Sequence, residues 1–177
     1  MRSAVLVTGV PLLLALATVV CSDGGSKITA QTRRTPSAAP ARSEGARHVM
    51  MRDDDLNWGP APPIFPPGAM FAVLQGDPSV TGQIFTVRLR FPNGYILPPH
   101  WHPTDEAVTV LRGTFLVGMG DVYSADALHP FRPGDFIVAP QHVPHYASAR
   151  GLTEVQVHAM GPFQLTYVNP ADDPTKQ

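Results

Sequence analysis

The chain has 177 residues, with 13 Lys/Arg against 14 Asp/Glu, seven His and one Cys. This length suits one domain of ordinary size, and a single cysteine excludes an intramolecular disulfide. From His48 onward seven Lys/Arg stand against twelve Asp/Glu, a formal charge of −5, which offers no basic face to nucleic acid or anionic lipid.

Residues 1–21 begin with Met1-Arg2 and continue as "SAVLVTGVPLLLALATVV". A positive start followed by a short apolar run reads as a signal peptide, and the run is short for a spanning helix and broken by Gly9 and Pro11. The expectation is export from a bacterial cytoplasm to the periplasm or beyond. Cys21 closes the run as a candidate lipid anchor of a lipoprotein signal, with cleavage after Ala17 in "ALA" as the competing reading. Residues 22–47 are rich in Ser, Ala, Thr, Arg and Gly without apolar periodicity, which predicts a disordered tether.

Residues 48–69 read as a Pro-rich strap. Five prolines in "WGPAPPIFPPGAM" (58–70) forbid a central strand and favour an extended run, with Trp58, Ile64 and Phe65 available to pin it by ordinary packing. The stretch "VMMRDDDLNW" (49–58) has room for a turn of helix.

Residues 70–170 read as short strands: "GQIFTVRLR" (82–90), "EAVTVL" (106–111), "GTFLVGM" (113–119), "DFIVAP" (135–140), "HYASAR" (145–150), "TEVQVHAM" (153–160) and "FQLTYV" (163–168). Short strands with turn signals between them predict an all-β sandwich or barrel. Alternation puts Phe85, Val87, Val108, Val110, Phe115, Val117, Phe136 and Val155 in the lumen and turns Arg88 and Arg90 outward. Residues 171–177 read as a flexible tail. Lys176 is the one lysine after His48, so Schiff-base chemistry from a buried amine is excluded.

The chemistry concentrates in "PPHWHPTDEAVTVLRG" (98–113). On a strand, His100 and His102 share one face about 6.5 Å apart and can converge on one ion at about 2.1 Å from each nitrogen. Pro98 and Pro99 hold the lead-in extended, and Glu106 can return to the same face as an oxygen ligand. A further ligand has to come from "RPGDFIVAPQHVPHYA" (132–147), which offers His142 and His145. Tyr146, beside His145 but on the other side of its strand, is a pocket candidate. His48, His129 and His158 read as surface residues.

The spacing Gly94, five residues, His100-Trp101-His102, three residues, Glu106, six residues, Gly113 resembles the first motif of the cupin family at every named position. The second motif is matched in part: Gly134, five residues, Pro140, Gln141, His142 where glycine is usual, then His145, with Ala149 in place of the final Asn. The resemblance implies a cupin-type antiparallel β-barrel (jelly roll) holding one divalent transition metal (Fe, Mn, Cu, Ni or Zn) on His100, His102, Glu106 and His145. It also implies a small homodimer paired through sheet edges.

With an apolar lumen, the cupin resemblance implies a small-molecule oxidoreductase of dioxygenase type. Its substrate would be apolar or aromatic, and Glu106 would serve as both ligand and catalytic group. The opening "DLNWGPAPPIFPPGAMFAVLQGDPSVTG" resembles the cupin subgroup of a bacterial zinc anti-sigma factor. That likeness implies the alternative, a non-catalytic metal- or ligand-binding sensor or scavenger.

Overall fold

A computed structural model describes residues 48–176. The signal peptide read over 1–21, the tether over 22–47 and the anchor at Cys21 lie outside the described residues. Among the described residues no helix is long and apolar enough to cross a membrane.

Among the described residues nine antiparallel strands form one curled sheet: β1 (Gly59–Pro60), β2 (Met70–Gln75), β3 (Ile84–Phe91), β4 (Ile96–Trp101), β5 (Glu106–Met119), β6 (His129–Phe131), β7 (Phe136–Ala139), β8 (His145–Met160) and β9 (Thr166–Tyr167). The order runs β1-β2-β3-β8-β4-β9, and β5 pairs with β6, β7 and β8. Two long strands organise it. The sequence separates 106–111 from 113–119 and 145–150 from 153–160, but the chain joins each pair into one bent strand. Along β5 and β8 the ladder runs from Glu106↔Ala159 to Met119↔His145, with register shifts on both sides of Arg112.

Those irregularities are the bends, because an extra residue in one strand breaks the ladder and sharpens the twist. Gly113 is left-handed there (φ 74°), and a Cβ on it would lie 2.5 Å from the Leu152 carbonyl oxygen. Past the bend, the first half of β8 pairs with β4 and its second half with β3. One strand therefore serves both walls of the barrel.

The lumen takes the alternate residues expected of it, with one exception. Phe85, Val87, Val108, Val110, Phe115, Val117 and Val155 are buried together. Phe136 is not: it is 59% exposed. β7 pairs Val108 with Ile137 and Thr109 with Phe136, so Phe136 shares the outer face with Thr109, and Ile137 and Ala139 point inward. β7 has only four residues, too short a run for its alternation to show which residues face in.

The strap is fastened at several points. Phe65 is buried in the core, the Tyr167 hydroxyl donates to the Ile64 carbonyl (2.7 Å), and the Tyr95 hydroxyl donates to the Pro66 carbonyl (2.7 Å). Burial pushes both tyrosine pKa values well up from 10.0, so both remain donors. The expected turn of helix is a 3-10 turn at Asp53–Asp55, closed by the Arg52 amide on the Asp55 carboxylate.

On the outer face Arg88 and Arg90 both bond Glu154, which is 6% exposed. Arg88 also pairs with Asp53, and Trp58 lies under the Arg90 guanidinium at 4.1 Å. Residues 170–176 form two 3-10 turns, Pro170–Asp172 and Pro174–Lys176.

Candidate metal centre

His100, the last residue but one of β4, lies directly opposite His145, the first residue of β8. The prolines of β4 give up their ladder amides, and the register with β8 shifts between Leu97 and His100. His102 follows one residue beyond the strand, and Glu106 begins β5. The barrel thus brings together the four residues that the sequence singles out. Each of the four is buried.

The imidazoles are oriented by backbone carbonyls. His100 Nδ1 meets the Pro98 oxygen at 2.7 Å, His102 Nδ1 the Gln164 oxygen at 2.7 Å, and His145 Nδ1 the Val143 oxygen at 3.1 Å. A carbonyl only accepts, so each Nδ1 carries a proton, and a ring in its neutral form then offers Nε2 as a bare lone pair. These three rings supply ligand atoms that all lie within 4.8 Å of one another.

Lone pairs cannot satisfy one another, and His102 Nε2 and His145 Nε2 are buried without a hydrogen-bond partner. A cation resolves that arrangement, and carbonyl-anchored imidazoles are the usual support of a metal ligand. Burial first, then the charges of His145 and His102, hold the His100 imidazole well below 6.5, so it stays neutral and able to bind metal.

Glu106 Oε2 lies 3.5 Å from His102 Nε2 and 3.7 Å from His145 Nε2. Two donors on one ion at about 2.1 Å are separated by about 3.0 Å at octahedral and about 3.4 Å at tetrahedral angles. The carboxylate is therefore near the spacing of a fourth ligand. Burial pushes its pKa up, but attraction to His102 and His145 outweighs that and holds it below 4.5. The donor set of three imidazoles and one carboxylate suits a first-row transition metal.

The cluster closes one part of an apolar cavity whose other walls include Leu89, Phe91, Val108, Ile137, Val157 and Phe163. The cavity is narrow, since the space open to the centre of a water molecule is about 30 Å³.

Other sequence candidates lie apart. Tyr146 is 1% exposed, but it packs under Gly118, where a Cβ would come within 2.2 Å of its ring, and it is not part of the cavity. His142 is exposed. It takes the left-handed conformation (φ 60°) that glycine would adopt freely, donates its amide to the His102 carbonyl (2.8 Å), and sets its ring 4.9 Å from Trp101. His48, His129 and His158 are exposed.

Sequence reasoning missed the role of 163–165. Phe163 and Leu165 line the cavity, and Gln164 supplies the carbonyl that holds His102. The alternation Phe163, Leu165, Tyr167 was the available signal.

Residues 87–161 match the Cupin_2 family model, described as a cupin domain. No curated protein sequence matches the chain. Among solved structures, the polyketide cyclase RemF from Streptomyces resistomycificus is similar with a TM-score of 0.56 and 17% identity, over 74% of this chain and 94% of that one. KdgF from Halomonas sp. is similar with a TM-score of 0.51 and 22% identity, over 67% and 96%. An RmlC-like cupin from Shewanella frigidimarina has a TM-score of 0.51 and 17% identity, over 65% and 91%. At such identities the likeness is one of fold. The family match and the shared fold together support a cupin superfamily domain over residues 87–161.

Proposed function

We propose that the domain is a metal-dependent oxidoreductase of dioxygenase type, acting on a small apolar or aromatic molecule. The observation that carries this reading is the set of three carbonyl-oriented imidazoles whose Nε2 lone pairs meet beside Glu106 at the wall of an apolar cavity. A bound divalent transition metal would supply Lewis acidity and, where it is redox-active, electron transfer to dioxygen. His100, His102 and His145 would hold it. Glu106 Oε2 would complete the set or hold a proton beside it. The apolar walls would exclude water and grip the body of the substrate.

A non-catalytic metal-binding module is the second reading, and the narrowness of the cavity favours it. The apolar run after Arg2 supports export as the setting for either. The test is elemental analysis of the purified domain followed by oxygen consumption with a panel of phenols and enediols. One transition metal per chain with oxygen uptake supports the enzyme. Stoichiometric metal without uptake by any compound supports the binding module.

A further inference from the structure

Of the eighteen residues lining the metal cavity, seventeen are buried. The exception is Phe163, which is half-buried. Phe163 is therefore the lining residue with the most contact with solvent.

We propose that Phe163 is the gate of the cavity and restricts entry to planar molecules. The inference rests on the reading of the cavity as the site that receives a small molecule. The Phe163 ring lies against His102 with centroids 5.5 Å apart and planes within 12° of parallel. Phe65 of the strap and Phe85 of β3 flank it at 6.1 Å and 5.3 Å. When the ring turns outward it vacates a slot one aromatic ring thick, about 3.5 Å. That slot runs alongside the His102 ring, with Phe65 and Phe85 tilted by 35° and 60° to the Phe163 plane beside it. A flat molecule fits such a slot and a globular one does not.

The backbone under the gate is fixed, so the moving part is the side chain. The Phe163 amide donates to the Pro78 carbonyl (2.7 Å), the Gly161 amide to Gln83 (2.8 Å) and the Gly82 amide back to Gly161 (3.0 Å). On the other side the Gln164 carbonyl accepts from His102. Rotation of the half-buried ring is a side-chain motion that needs no rearrangement of this backbone. The gate can therefore open while the carbonyl that orients His102 stays in place.

The test uses the metal-free and the cobalt-loaded chain with two probes, planar indole and globular 1-adamantanol. Entry is followed by NMR of the lumen methyl groups. The unaltered chain should admit indole at least tenfold faster than adamantanol. Phe163→Ala should bring the two rates together, Phe163→Leu should fall between, and Phe163→Trp should slow indole tenfold or more. The proposal is overturned if adamantanol enters the unaltered chain as fast as indole. It is equally overturned if the ratio is the same in every variant, or if neither probe enters any of them. Cobalt uptake is read separately by visible absorption, so failure of the metal centre is distinguished from failure of the gate. The leucine variant keeps an apolar side chain beside His102, and circular dichroism of every variant separates a loss of structure from a loss of selectivity.

Discussion

His100 and His145 are built alike. Each follows a proline, Pro99 or Pro144, and each directs its Nδ1 at the carbonyl two residues back, that of Pro98 at 2.7 Å or Val143 at 3.1 Å. The two rings face each other across β4 and β8 with centroids 4.3 Å apart. Proline fixes the backbone between carbonyl and imidazole, so each ring is held by its own local chain as well as by the pairing of the strands.

Pro144→Ala should therefore weaken metal binding while leaving the ligands in place. Losing the support of a metal-binding histidine typically costs 10–100-fold in affinity, and an alanine that still permits the carbonyl contact should come out near ~10-fold. Competition against a chromophoric chelator measures it.

The pH dependence of the metal-free domain follows from His100 and Glu106. The His100 imidazole is held below 6.5 when folded, so below that pH the unfolded chain binds a proton that the folded one refuses. Stability is then full above 6.5 and declines as pH falls from there. Glu106 is held below 4.5 when folded. Its contribution is present above 4.5 and is lost as pH falls through the lowered folded value, so both groups act in the same direction. Urea unfolding between pH 8 and pH 4 should show a monotonic loss of stability toward acid.

Gly113→Ala should destabilise the barrel by about 3 kcal/mol, combining left-handed strain with overpacking. The φ of 74° and the 2.5 Å approach to the Leu152 carbonyl leave no room for a methyl group. Thermal unfolding gives the value, and a change within ~0.5 kcal/mol would mean that the bend relaxes freely.

Glu154→Gln keeps the shape of the side chain and removes the charge that two arginines share. Charge-assisted bonds contribute roughly 1.5–3 kcal/mol each in buried settings. Because Arg88 and Arg90 are part-exposed, about 1–2 kcal/mol in total is expected. The loss should shrink in high salt.

The candidate metal ligands were legible in the sequence in part because their chemistry is local, His-x-His on an extended run and a glutamate after a turn, while the choice of His145 over His142 came from the cupin resemblance. The strands β3, β5 and β8 were legible because their alternation runs long enough to fix a face. What escaped depended on partners remote in sequence. Phe136 turned outward because its register with Thr109 decided the face of a four-residue strand. β4 carries two prolines and shows no alternation of strand formers. Phe163 gained its place from the barrel mouth that it covers, and the left-handed His142 shows that a position suited to glycine can be occupied at a cost that the Trp101 contact and the His102 carbonyl bond help to offset.

The most direct measurement is X-ray absorption of the metal-loaded chain beside its His145→Ala variant, with metal content determined on both. The expected result is one transition metal per chain, with scattering from about three imidazoles at roughly 2.1 Å and with affinity reduced ~100-fold or more by the substitution. A chain that takes up no stoichiometric metal, or that binds it equally well without His145, would contradict the convergence of these side chains on a single ion.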